Sequence, residues 1–183
     1  MGITFRETKL RGAFIIEPEM FADERGFFGR SYSAKEFEVR GMDPRIAECN
    51  LSFSKKRYTI RGMHFQLASY AQAKLVRCTK GAIYDVIIDL RPESPTFKQW
   101  IGEELSAENR RMLYVPTEFA HGFQTLVDDT EVFYQVSEVY APQASGGVRW
   151  DDSAFAIEWP ATDGVTINLR DQSYPDFEAS NGA

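Results

Sequence analysis

Short apolar runs broken by turn residues set the pattern of this chain, and the three- and four-residue recurrence of a long amphipathic helix is missing. Gly12-Ala13-Phe14-Ile15-Ile16-Glu17-Pro18 reads as a strand stopped by proline. Asp23-Glu24-Arg25-Gly26 is a charged turn that runs into Phe27-Phe28. Ser33-Ala34-Lys35-Glu36 has the spacing of a capping box, and Gly41 is placed to end the short helix it opens. From Asn50 onward the pattern is β. Lys74–Cys78 is a predicted strand, Lys80-Gly81 a turn, and Ala82–Leu90 a strand rich in Ile and Val that Arg91-Pro92 ends. Arg111–Pro116 is another, with Phe123–Leu126 and Glu131–Tyr140 on either side of Asp128-Asp129. Strands at this spacing predict a mainly β sandwich or jelly roll with a few short helices, and argue against a doubly wound α/β sheet.

At 183 residues with 43% hydrophobic positions, the chain fits a single domain, 1–183, with material for a real core. Lys+Arg 21 against Asp+Glu 27 gives a net charge of -6. That balance argues against a non-specific nucleic-acid binder and leaves room for a local basic pocket around one phosphorylated ligand. Lys55-Lys56-Arg57 then reads as a solvated strand end, and Trp100, Trp150 and Trp159 as core or lid residues. Cys49 and Cys78 lack C-x-x-C spacing and are expected as buried, reduced thiols. With no signal-peptide pattern and no apolar stretch of spanning length, a cytoplasmic location is expected. Phosphate-loop, dinucleotide and nucleophile-elbow motifs are absent.

Candidate chemistry centres on two histidines. His64 lies in Ile60-Arg61-Gly62-Met63-His64-Phe65-Gln66, where strand alternation places Ile60, Gly62, His64 and Gln66 on one face. A bulge at Gly62 would re-aim Arg61. His121 follows the proline-stopped strand and precedes Gly122, which suggests a loop. For either alone, a hydrogen-bonded structural histidine competes with a site role. A metal centre is short of ligands, because the positions two residues from His64 are Gly62 and Gln66. This disfavours a metal-dependent oxygenase.

Arg61–Gln66 joins further blocks in order: Ala71–Arg77, Asp89–Phe97, Val115–Phe123, Trp150-Asp151-Asp152 and Ile157-Glu158-Trp159-Pro160, with Asp23–Phe28 before them. Together, from roughly residue 10 to 175, they resemble the dTDP-4-dehydrorhamnose 3,5-epimerase family of metal-free cupins. The resemblance implies a jelly-roll barrel that inverts C3 and C5 of a nucleotide-diphosphate-linked 4-keto-6-deoxyhexose through an enolate, with no cofactor. It implies His64 as base, Asp171 as its carboxylate partner, Tyr134 as acid on the opposite face and Lys74 as enolate stabiliser. It further implies sugar-nucleotide contacts from Arg25, Phe28, Arg30, Glu48, Asn50, Arg61, Gln66, His121 and Tyr140. A homodimer with exchanged N-terminal segments is implied as well. A mono-epimerase acting on C3 or C5 alone, or on a CDP- or GDP-linked sugar, is the nearest alternative. A non-catalytic sugar-nucleotide module on the same barrel is the second.

Arg30 stands where the family commonly has glutamate, and Glu48 where it often has glutamine. Ala73 and Met63 also depart from the usual residues, as packing changes. The two charge changes predict that Arg30 and Glu48 pair with each other, or together read a base other than thymine.

Overall fold

The computed structural model describes residues 2–177. Its strands are β1 (Ile3–Glu7), β2 (Phe14–Pro18), β3 (Phe21–Asp23), β4 (Gly26–Phe28), β5 (Glu48–Ser54), β6 (Ile60–Gln66), β7 (Lys74–Lys80), β8 (Ala82–Asp89), β9 (Trp100–Ser106), β10 (Met112–Val115), β11 (Phe119–Thr125), β12 (Thr130–Val136) and β13 (Ser145–Gly147). Two short helices, α1 (Ala34–Glu38) and α2 (Leu169–Gln172), flank this β region. A six-stranded sheet in the order β1-β2-β10-β7-β12-β5 faces a five-stranded sheet in the order β13-β6-β11-β8-β9, and β3 and β4 form a separate hairpin. Every strand ladder is antiparallel. From β5 to β8 successive strands cross from one sheet to the other, the connectivity of a jelly roll.

Alternation along the strands builds three apolar layers. Ile83, Ile87, Val76, Leu113, Phe119, Phe123 and Val132 fill the space between the sheets. Outside the larger sheet, Phe37 of α1 packs edge-on against Phe5 and Tyr114 at 5.7 and 5.8 Å. Burying that ring contributes about 2–3 kcal/mol and fixes α1 to the sheet. Outside the smaller sheet, Ile60, Met63, Val86, Ile88 and Ala120 are covered by the C-terminal run that carries Val148, Phe155, Trp159 and Phe177. Trp159 anchors this cover, donating from Nε1 to the Trp150 carbonyl at 2.8 Å. The run passes through α2, beside the cavity.

Four sequence expectations change. Ser33 occupies the N-cap of α1, but its side chain makes no cap bond; its carbonyl accepts from Glu36 and Phe37 instead. Gly41, at φ +73°, closes the helix as expected, with Met42 N–H bonded back to Phe37 O. Cys49 is exposed, because it points outward from the edge strand β5; Cys78 is buried. β9 was not foreseen, since Glu103 and Glu104 interrupt its apolar pattern, as suits an edge strand paired on one side only. His121 sits mid-strand in β11 rather than in a loop, and is buried. Ala120 and His121 belong to opposite faces of that strand, an alternation the preceding proline and following glycine mask in the sequence.

Candidate active site

The site begins with an irregularity in β6. His121 pairs opposite His64 and Phe123 opposite Arg61, so β6 carries one extra residue at Gly62-Met63. A side chain at Gly62 would put its Cβ 2.4 Å from Gly122 Cα, and one at Gly122 would lie 2.6 Å from Met63 Sδ. Glycine at both positions is therefore what lets the bulged strands close up. Gly62 also holds φ +136°, a region L side chains rarely enter. The bulge corrects the simple alternation: Ile60 and Met63 face the outer layer, while Arg61 and His64 both reach the cavity.

That cavity, about 300 Å³, opens between the sheets. His64, Arg61 and Gln66 line it from β6, His121 from β11, Lys74 from β7, Tyr134 from β12, Tyr140 from the loop after β12, and Asp171 from α2. His64 and Tyr134 thus stand on opposite sheets, one wall each.

Asp171 is almost wholly buried and reaches His64 from outside the sheets. Asn168 caps α2 by accepting from Asp171 N–H at 2.7 Å, which fixes the turn. The Asp171 carboxylate then spans two donors: Oδ1 lies 2.8 Å from His64 Nε2, and Oδ2 accepts from Gly62 N–H at 3.2 Å. Burial raises this carboxyl, but its bonds to His64 and Gly62 outweigh burial and hold it below the ordinary value. An ionised carboxylate only accepts, so Nε2 carries the proton and Nδ1 is left with the lone pair of a base.

Lys74 is buried at the cavity floor and donates to the His64 carbonyl at 3.3 Å. Burial pulls its ammonium down to about 8, opposed by Asp85. Tyr134 is pushed up by burial, with Arg61 lowering it and Glu48 raising it, so the phenol keeps its proton at neutral pH. Arg61 is braced against β5, donating to Ser54 Oγ at 3.2 Å and Phe53 O at 2.9 Å. His121 Nε2 lies 2.8 Å from Asp85 Oδ1. The Gln66 amide is spent on backbone, bonded to Tyr70 O, Val139 O and Ala141 N at 2.7, 3.1 and 2.7 Å. It shapes the rim by clamping two loops together. Tyr140 stands exposed on that rim, its hydroxyl drawn down by Arg170 and Ser145.

The remaining candidates lie outside this cavity. Arg25 pairs with Asp23 within the β3–β4 turn, and Phe28 is 62% exposed on the same hairpin. Arg30 pairs with Glu36 at 3.8 Å, so it does not join Glu48 as expected. The reason is local: α1 brings Glu36 close to Arg30, whereas Glu48 sits on the edge strand β5. Glu48 and Asn50 share the inward row of β5 with Ser52, which does line the cavity.

Several residues that line the cavity or contact its lining went unforeseen. Arg170 donates to Ser145 Oγ at 2.8 Å, and the Tyr174 ring stands edge-on to His64 at 6.4 Å. Asn168 was legible as a cap three residues before Asp171. Asp85 was legible as a carboxylate inside an Ile- and Val-rich strand.

A jelly-roll barrel with a histidine–carboxylate pair on one wall, a protonated tyrosine on the other and a buried lysine between them defines an acid–base isomerase of the cupin-type class. The chain belongs to the dTDP-4-dehydrorhamnose 3,5-epimerase family, whose model matches residues 7–179. A dTDP-4-dehydrorhamnose 3,5-epimerase from Salmonella typhimurium is 44% identical over 170 residues, 92% of each chain. The crystal structure of a family member from Elizabethkingia anophelis superposes with a TM-score of 0.94 at 38% identity, covering 98% of both chains. One from Bacillus anthracis, with TDP and PPi bound, gives a TM-score of 0.90 at 46% identity over 95% of this chain and 99% of that one.

Proposed function

We propose that this protein inverts C3 and C5 of dTDP-4-dehydro-6-deoxyglucose, and that His64, Asp171, Tyr134 and Lys74 carry the reaction. The observation that carries the reading is the placement of His64 and Tyr134 on opposite walls of one cavity, with Lys74 on its floor. The C4 ketone acidifies the C–H bonds at both neighbouring carbons. His64 Nδ1 takes one of these protons, and the C–H electron pair moves through the new C=C bond onto the C4 oxygen. The Asp171 carboxylate stabilises the imidazolium that results. Lys74 donates to the oxyanion; removing one such donor typically lowers turnover ~10²–10³-fold. As the electron pair returns to carbon, the Tyr134 hydroxyl delivers a proton from the other side, and the centre is inverted. Solvent resets both groups, and the same steps serve the second carbon.

Arg61 and Arg170, at the mouth, suit the diphosphate, where guanidinium forks match phosphate oxygens. The nucleoside then extends past Tyr140 toward Asn50 and Glu48. The exposed aromatics of the β3–β4 hairpin, Phe21, Phe27 and Phe28, and the outward Leu51 and Phe53 of edge strand β5 make a large unburied apolar surface. This supports a homodimer in which one chain's hairpin brings Arg25 and Phe28 to the partner's nucleotide end.

The test is incubation in D₂O with the dTDP-linked 4-keto-6-deoxyglucose, followed by NMR of the C3 and C5 protons. Exchange at both carbons, abolished in His64→Ala, is expected. Exchange at one carbon only would replace this reading with a mono-epimerase. Nucleotide binding without exchange would replace it with a binding module. A preference for CDP, GDP or UDP over dTDP would overturn the thymidine assignment.

A further inference from the structure

Of the buried carboxylates that the steps above do not use, Asp85 alone among the described residues keeps an oxygen with no hydrogen-bond partner. Asp85 sits mid-strand in β8 between Ile83 and Ile87, on the face that looks into the layer between the sheets, and is fully buried. Burying a carboxylate is costly unless its oxygens are paired. Oδ1 is paired, with His121 Nε2 at 2.8 Å. Oδ2 has no hydrogen-bond partner. An open acceptor in a core strand points to a role other than packing.

The group in need of an anion is Lys74. It comes from the opposite sheet, is buried as well, and has one backbone carbonyl within hydrogen-bond reach. His64 and His121 face it from the smaller sheet, Tyr134 lies on the neighbouring strand β12, and Asp171 is engaged by His64 and Gly62. Among the described residues, Asp85 is the anion left to balance the lysine, through space rather than by contact.

We propose that Asp85 is a positioning residue with two effects: its bonded oxygen holds His121 in the tautomer with Nε2 protonated, and its charge keeps Lys74 an ammonium. The inference rests on the epimerase reading for its consequence, since an ammonium stabilises an enolate oxygen better than an amine does. Burial and Asp85 act in opposite directions on Lys74, which lies at about 8. On His121 burial also dominates; Asp85 opposes it, and Lys74 and His64 add to the downward push. His121 is held below its ordinary value and is mainly neutral at neutral pH, so the charge that Asp85 balances there is that of Lys74.

The test uses the full-length protein and reads Lys74 directly. Reductive ¹³C-methylation labels the amine, its resonance is assigned by loss in Lys74→Arg, and NMR follows its titration. In Asp85→Asn the midpoint should fall by about one pH unit or more. The alkaline limb of the kcat profile should fall with it, while Asp85→Glu keeps both near their original positions. An unmoved Lys74 midpoint in Asp85→Asn overturns the proposal. Should that variant not fold, His121→Asn decides the matter: Asp85 remains, so the midpoint should not fall, and a fall would show that the aspartate acts only by way of the imidazole. The titration needs no turnover. A protein that shifts its Lys74 midpoint yet exchanges no substrate deuterium would count against the epimerase reading and leave this one standing.

Discussion

Asp171→Asn isolates the contribution of the buried carboxylate while keeping its shape. In the native site, Asp171 accepts from His64 Nε2 at 2.8 Å and from Gly62 N–H at 3.2 Å. An asparagine has one acceptor oxygen and one donor group. If the oxygen stays with Gly62, the amide NH₂ faces His64 and the imidazole must turn its lone pair to Nε2. Nδ1 then carries the proton, and the base is lost. If the amide is reversed, its NH₂ confronts the Gly62 N–H, leaving two buried donors opposed, which costs about 1–3 kcal/mol. The first arrangement therefore dominates, and the imidazolium also loses its counter-charge. The same carboxylate-to-amide change in a Ser-His-Asp triad lowers kcat ~10⁴-fold, equivalent to about 5.5 kcal/mol of barrier. A loss of ~10³–10⁴-fold in kcat is expected here, with KM little changed, because Asp171 touches His64 and not the nucleotide end. The assay is the initial rate of deuterium entry at C3 and C5 in D₂O. A variant within tenfold of the native rate would refute both the tautomer argument and the assignment of His64 as base.

Other outcomes follow from the same geometry. Tyr134→Phe should keep solvent exchange on the His64 side while net inversion falls ~10²–10⁴-fold, a split that NMR of the product sugar detects. Gly122→Ala forces a Cβ to 2.6 Å from Met63 Sδ and 2.8 Å from the Arg61 carbonyl; urea unfolding should show a loss of about 1–3 kcal/mol, together with reduced turnover because Arg61 and His64 shift. Acid stability should depend on Asp89. Burial raises that carboxyl, yet bonds from Arg91, Ser94 and Thr96 bring it down to about 2. A depressed carboxyl stabilises the fold above its unfolded value of about 3.9, and that support is lost as pH falls from there through about 2. Asp89→Asn should therefore be less stable by roughly 2 kcal/mol at pH 7, and should lose less further stability than the native protein between pH 4 and pH 2.

Much of this protein is determined by near-neighbour order along the chain. Alternating apolar runs and proline stops are local signals, and they mark out the core strands β2, β7, β8 and β10 as well as the mainly β class. The Ser-x-x-Glu spacing and Gly41 locate α1, although the serine hydroxyl takes no part in the cap. The ordered blocks from Asp23 to Pro160 identify the family, because they preserve residue types at positions whose spacing reflects one fold. Other features depend on distances that no local pattern encodes. The β6 bulge exists only in the pairing of β6 with β11, so the face that Arg61 and His64 share could not be settled from alternation within β6. His121 looked like a loop residue because Pro116 and Gly122 are local turn signals, whereas pairing on both sides, with β6 and β8, holds it in a buried strand. Arg30 found Glu36 rather than Glu48, since α1 brings one acid close and the edge strand carries the other away. Asp171 is more than a hundred residues from His64 in the chain, and the apolar cover laid over the smaller sheet by the C-terminal run is what carries it to the imidazole. Local sequence decides which segments become strands because backbone preference and side-chain alternation act over a few residues; tertiary packing decides which side chains meet because burial and pairing energies are realised only once distant strands are brought together.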